Sequence, residues 1–75
     1  MKLLQVRTLK YYTTYNNISE YQLLEDLGLP DPDDCSTFEE CNAQQKRNTR
    51  AILEHFKSQG YTHICDHENN AVMYL

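Results

Sequence analysis

Ala51-Ile52-Leu53-Glu54-His55-Phe56-Lys57-Ser58-Gln59-Gly60-Tyr61-Thr62-His63-Ile64-Cys65-Asp66 is the stretch whose reading decides the fold. Ala51, Ile52, Leu53 and Phe56 lie within little more than one helical turn and form an apolar stripe. Gly60 supplies the stop that a helix C-terminus favours. Beyond it, Tyr61 to Asp66 is rich in strand formers, and Glu68-Asn69-Asn70 signals a turn before Ala71-Val72-Met73-Tyr74-Leu75. The expected unit is a helix followed by a C-terminal hairpin. With Asn69-Asn70 as a two-residue loop, Ile64 faces Leu75 and Cys65 faces Tyr74.

Upstream of Ala51 the same grammar recurs. Ser36 is expected to cap a helix from about residue 37 to 58, with Glu39 completing the capping box. Phe38 and Cys41 open its apolar stripe, which nearly vanishes between Asn42 and Arg50. With no Gly or Pro in that interval, one helix with an exposed polar middle is favoured over two shorter helices meeting near Gln44. An earlier helix starts at Ser19, with Gln22 placed to reach back. It buries Leu23, Leu24 and Leu27, and ends at Gly28, where Pro30 and Pro32 prevent a restart. Leu29 to Asp34 is then a rigid acidic loop shaped by its prolines rather than by its carboxylates. Leu3 to Leu9 reads as a strand with Leu4 and Val6 on one face, and Tyr11 to Tyr15 as irregular extended chain before the Asn16-Asn17 turn. The fold class is therefore α+β, one small domain spanning residues 1–75 in β-α-α-β-β order. The N-terminal strand lies beside the hairpin, and both helices cover one face. The expected core is Leu4, Val6, Leu23, Leu24, Leu27, Phe38, Ile52, Leu53, Phe56 and Ile64.

Seventy-five residues hold one thin core, because so short a chain buries only about 60–65% of its unfolded surface. A disulfide, a metal, an oligomer interface or a bound partner would assist it. No apolar run approaches the roughly 20 residues that span a bilayer, and Leu3-Leu4 is too short for a secretory segment, so neither membrane nor export is expected. Cys35, Cys41 and Cys65 are odd in number and lack the dense, even spacing of a disulfide framework. Reduced thiols and a cytoplasmic location are expected.

Charge is unevenly distributed. From Tyr11 to Gln45 the chain carries eight carboxylates and no lysine or arginine, within a net charge of −4. A pI near 5.1 argues against direct nucleic-acid binding, which needs clustered positive charge. Asp31, Asp33, Asp34, Glu39 and Glu40 instead suit a protein partner with a basic surface. Tyr11, Tyr12 and Tyr15 sit on a segment with weak core patterning, where tyrosines either cover the core or anchor an interface. They join the carboxylates as candidate partner-binding residues.

No catalytic, cofactor or metal site is expected. His63, Cys65 and His67 alternate along a strand, yet the outer pair would be about 13 Å apart, too far to share one zinc undistorted. Cys35 or Cys41 with His55 or His63 lacks a local motif for nucleophilic catalysis. Asp31, Asp33 and Asp34 lack the glycine and the closing glutamate of a calcium loop. Lys46, Arg47 and Arg50 read as ordinary helix-surface charge, with Glu54 four residues beyond Arg50.

The segment Ile52 to Ile64 resembles the helix-Gly-Tyr-Asp-Gly-Ile segment of ADP-ribosyltransferase toxins and their phage relatives. The strand Leu3 to Leu9, the helix ending at Leu27-Gly28 and the acidic linker resemble the same family. The resemblance implies the C-terminal half of that fold, without the cofactor-binding half. It also implies loss of the catalytic glutamate, since the place where the family carries it reads Asn69-Asn70-Ala71-Val72-Met73-Tyr74 and Glu68 lies in the turn. Asparagine cannot carry the charge that stabilises an oxocarbenium-like transition state. The implied function is a non-catalytic acidic binding module, a phage or mobile-element inhibitor of a host nucleic-acid-handling enzyme. The alternative is a separate half of a transferase that needs a complementary partner.

Overall fold

β1 (Leu3–Thr8) is the middle strand of a five-stranded sheet in a computed structural model that describes residues 1–75. It is followed by β2 (Thr13–Tyr15), β3 (Ile18–Ser19), α1 (Glu20–Leu27), a 3₁₀ turn at Pro32–Asp34, α2 (Phe38–Ser58), β4 (His63–Asp66) and β5 (Ala71–Tyr74). The strand order is β3-β2-β1-β4-β5. β1 and β4 are parallel, with Leu4 beside Ile64 and Val6 beside Asp66, and every other pair is antiparallel.

The α+β class, the N-terminal strand beside the C-terminal hairpin and the single long α2 agree with the sequence, whereas β2 and β3 are additional and move β1 from the edge to the middle of the sheet. Of the stretch expected to be irregular, Tyr11–Tyr15, the last three residues instead fold back on β1 as β2, with Val6 opposite Tyr15. Asn16 and Asn17 both take left-handed backbone, φ 52° and 66°, and so make the two-residue turn into β3 whose twist suits a hairpin. Asn16 also holds β1 with its side chain. Its Oδ1 accepts from the Gln5 amide at 2.9 Å, and its Nδ2 donates to the Tyr61 hydroxyl at 2.7 Å.

Because side chains alternate across a strand, Leu4, Val6 and Tyr15 share one face of the sheet, and α1 and α2 cover it. The buried cluster is Leu4, Tyr15, Leu23, Leu24, Ile52 and Phe56, with Val6, Leu27, Leu29, Leu53, Tyr61 and Leu75 packed around it. Phe56 lies at its centre, 6.2 Å from the Tyr15 ring, stacked on it, and 5.4 Å edge-on to Tyr61. Ile64 is half-buried, whereas Phe38 is 80% exposed. Phe38 is the first residue of α2, and its place in the helical period does not bring it to the core.

The expected polar middle of α2 is not wholly solvated. Asn48 is 3% exposed. Its Nδ2 donates to the Pro30 carbonyl at 2.7 Å, and its Oδ1 accepts from Gln44 Nε2 at 2.8 Å. The loop after α1 lies on this face of α2, and the buried carboxamide of Asn48 finds its acceptor there.

The first helix is capped where the sequence places its cap, and the second one residue later. Ser19 accepts from the Tyr21 amide at 3.2 Å, while Gln22 turns forward to Asp26 rather than back to the cap. α2 is capped by Thr37, not Ser36, with the Glu40 amide donating to Thr37 Oγ1 at 3.1 Å. Glu40, not Glu39, reaches back, accepting from Ser36 Oγ at 2.8 Å.

The hairpin register also differs. Cys65 is opposite Val72 and Ile64 opposite Met73, which leaves a four-residue loop from His67 to Asn70. Asp66 explains it. Its Oδ1 accepts from the Glu68 and Asn69 amides at 2.9 and 3.4 Å, and its Oδ2 from Asn69 Nδ2 at 2.9 Å. These bonds, the Asn69 side chain foremost, lower the Asp66 carboxyl below its ordinary value of 3.8. A carboxyl lowered on folding supports the turn above its unfolded value and ceases to do so as pH falls through its folded value. The Glu68 and Asn69 amide resonances should therefore titrate below pH 3.8 in the wild type and lose that step in Asp66→Asn, as an NMR pH series would show.

Cys35 and Cys41 form a disulfide, with their Cα atoms 5.4 Å apart, and Cys65 is free. The odd cysteine count hid this pair. The 3₁₀ turn and the Thr37 cap bring Cys35 beside the start of α2, a proximity that spacing alone does not reveal. A bridge closing so short a loop contributes about 2 kcal/mol by restricting the unfolded chain.

Candidate functional site

Five of the eight candidate partner-binding residues lie on one continuous piece of chain that wraps the N-terminal end of α2. Gly28, at φ 67°, ends α1, and Pro30 and Pro32 steer the chain into the 3₁₀ turn. Asp31 Oδ1 accepts from the Asp33 amide at 2.9 Å and so caps that turn. The loop therefore takes part of its shape from a carboxylate, not from its prolines alone. Asp33 and Asp34 stand exposed in the turn, and Glu39 is exposed beside Phe38 on the first turn of α2. Both clusters are at helix N-termini, where the backbone dipole favours negative charge. Glu40 divides its carboxylate between the cap at Ser36 and solvent.

Tyr11 and Tyr12 come to this acidic end from the β1–β2 loop. Tyr11 is 76% exposed, and Tyr12 packs its ring 6.1 Å from that of Tyr21 on α1. Tyr11, Tyr21, Glu20, Pro32 and Asp33 share a shallow cleft of about 250 Å3 with Leu24 at its base. Tyr15 is not part of the site. It is 4% exposed, and it belongs to the core because β2 pairing turns it to the same face as Val6. Burial, followed by the charge of Glu20, raises its phenol above the ordinary range, with a bond to Thr49 partly opposing. At Tyr21, desolvation and then the carboxylates of Glu20, Asp33 and Asp31 raise the phenol too, so it remains a neutral hydrogen-bond donor amid negative charge.

Two members of this surface are not marked by the sequence pattern. Tyr21 follows a helix cap and lies outside the leucine stripe, although an aromatic outside the stripe on an amphipathic helix is itself a signal. Phe38 lies where the helical period predicts burial, yet it is exposed.

Elsewhere, α2 presents the opposite charge. Lys46, Arg50 and Lys57 flank an open groove of about 630 Å3, with Glu54 between them and Leu53 and Leu75 as its apolar floor. It is larger than the cleft at the acidic end, and Gln45 lines both.

His63, Cys65 and His67 lie toward the helix-free side of the sheet. His63 Nδ1 is 2.7 Å from Thr62 Oγ1 and its ring is 4.6 Å from Tyr74, while His67 Nε2 bonds Gln5 Oε1. No three His, Cys, Asp or Glu side chains converge where a metal could sit. Asn70, which stands where the resemblance would put a catalytic glutamate, takes left-handed backbone, φ 49°, in the turn before β5. No helix is long and apolar enough to cross a membrane. No protein-family model, curated protein or solved structure matches the chain.

Proposed function

We propose that this chain is a non-catalytic protein-binding module whose acidic end docks on a basic protein surface. The supporting observation is the meeting, around the N-terminal end of α2, of Asp31, Asp33, Asp34 and Glu39 with the exposed rings of Tyr11, Tyr21 and Phe38. Carboxylates of one sign raise the encounter rate with a positive groove, and aromatic rings slow departure by burying large area at low entropic cost. The partner suited to such a surface is an enzyme with a basic nucleic-acid channel. Blocking that channel is the task of a phage or mobile-element inhibitor, a role for which the resemblance is the only guide to origin.

Affinity capture from host lysate at low and at high salt supplies the partner, and kinetics with that partner test the site. Asp31→Asn/Asp33→Asn/Asp34→Asn should slow association about tenfold at low salt and converge with wild type as salt screens the charges. Asn at position 31 keeps the oxygen that caps the turn, so folding is preserved. Phe38→Ala should leave association unchanged and speed dissociation roughly 30-fold, the size of an interface anchor. Equal association rates for the triple variant at every salt would reduce the acidic end to a solvated face. Heat on titration with nicotinamide adenine dinucleotide would favour the transferase-half alternative instead.

A further inference from the structure

The two edges of the sheet are built differently. β3 is only two residues long, a short edge of the kind that discourages pairing. β5 reads Ala71-Val72-Met73-Tyr74, with no charge and no proline, and its Val72, Met73 and Tyr74 side chains are all exposed, Tyr74 at 86%. None of the usual devices that blunt an edge is present along it.

The backbone of β5 is also ready to pair. The Thr62 carbonyl accepts from the Leu75 amide at 3.0 Å, whereas the His63 and His67 amides turn the other way, onto the Lys2 and Val6 carbonyls at 3.3 and 3.1 Å. Thr62, at the entry to β4, also donates its amide to the Lys2 carbonyl at 3.0 Å; from His63 to His67, odd-numbered residues address β1 and even-numbered ones address β5. With Ile64 opposite Met73 and Asp66 opposite Ala71, β5 turns the backbone groups of Ala71, Met73 and Leu75 toward β4. It leaves those of Val72 and Tyr74 pointing outward.

We propose that a second copy of this chain pairs antiparallel with β5, Val72 of each copy opposite Tyr74 of the partner subunit, to make a continuous ten-stranded sheet. The register is self-complementary. A twofold axis through Met73 sets every outward-facing amide and carbonyl against its counterpart and forms four hydrogen bonds. It joins Val72 to an aromatic ring on one face, a favourable cross-strand pair, and methionine to methionine on the other. Charge selects this direction. The Leu75 amide bonds the Thr62 carbonyl, five residues beyond Lys57, so Lys57 lies toward the C-terminal end of β5, while Asp66 and Glu68 occupy the turn at its N-terminal end. Antiparallel pairing sets the acidic turn of one copy beside Lys57 of the other, whereas parallel pairing would set acid beside acid. The two-residue β3 at the far edge stops the sheet from growing further. This interface is separate from the acidic end, so a dimer would present two copies of that surface.

Sedimentation equilibrium over a concentration series tests it, the expected species having twice the 8.9 kDa chain mass. Val72→Pro removes an outward amide and no bond within the chain. It should weaken the dimer about 100-fold, two symmetric hydrogen bonds at roughly tenfold each, with an unchanged circular dichroism spectrum. Tyr74→Lys, which sets a like charge near its symmetry mate, should also give monomer. In the wild type, exchange of the Val72 and Tyr74 amides should slow as concentration rises. A wild type that sediments as monomer throughout overturns the proposal. So does a dimer in which those two amides exchange freely, or a Val72→Pro chain that dimerises as tightly as wild type.

Discussion

Phe56→Ala should leave the chain unfolded at physiological temperature. Phe56 is 4% exposed and touches every layer of the core, stacked on Tyr15 from the sheet and edge-on to Tyr61 after α2. Removing a buried phenyl ring costs about 3–5 kcal/mol, and a core of this size rarely supplies more than that in all. Thermal and urea melts monitored by circular dichroism measure the effect. Phe38→Ala is the matched control, since its ring is exposed in the structure although the helical period predicts burial. It should melt within about 0.5 kcal/mol of wild type. A Phe56→Ala chain that melts with the control would show that the aromatic centre of the core is elsewhere.

Asn48→Ala should destabilise by about 1–3 kcal/mol, because it removes a side chain that is 3% exposed together with its bonds to the Pro30 carbonyl and to Gln44. The loss should have a second, local signature. Asn48 ties α2 to the start of the loop carrying Asp31, Asp33 and Asp34, whose far end the Cys35–Cys41 bridge holds, so amide exchange at those residues should accelerate more than at β1. Asn48→Asp tests the same bond by chemistry rather than size, since a carboxylate accepts and cannot donate to a carbonyl. It should be at least as damaging at neutral pH. Uniform exchange changes along the whole chain would show Asn48 to be a general packing residue.

The elements whose signals are local were legible in the sequence. Ser19 and Gly28 bound α1, Gly60 closes α2, and Asn16-Asn17 turns the chain, because each depends on the dihedral angles or side-chain oxygen of one or two residues. What depends on long-range pairing was not. Tyr15 enters the core only because β2 adds to β1, and no residue between Tyr11 and Tyr15 announces that partner. Asn48 looks like one more solvated position in a polar run until the Pro30 carbonyl is laid against it. The hairpin slips to a four-residue loop because Asp66 collects two amides and a carboxamide, a stronger local determinant than the Asn69-Asn70 pair. Cys35 and Cys41 meet through a turn whose pitch spacing cannot convey. At the candidate site the carboxylates were legible as a run of like charge. Their neighbours Tyr21 and Phe38 were not, because exposure is a property of where a helix lies and not only of its period.

The parallel pair at the heart of the sheet also sets the order in which the molecule can assemble. Leu3 lies beside His63, so the two central strands cannot meet until the whole of α2 and the start of β4 have left the ribosome. Before then the chain holds only the β1–β2–β3 meander and two helices, with Leu4 and Val6 at an open edge. Closing a loop of that length ahead of any compensating contact is slow for a small domain. β1 therefore spends synthesis as an exposed apolar strand, and the interval before His63 emerges is when the nascent chain is most exposed to aggregation and to capture by chaperones.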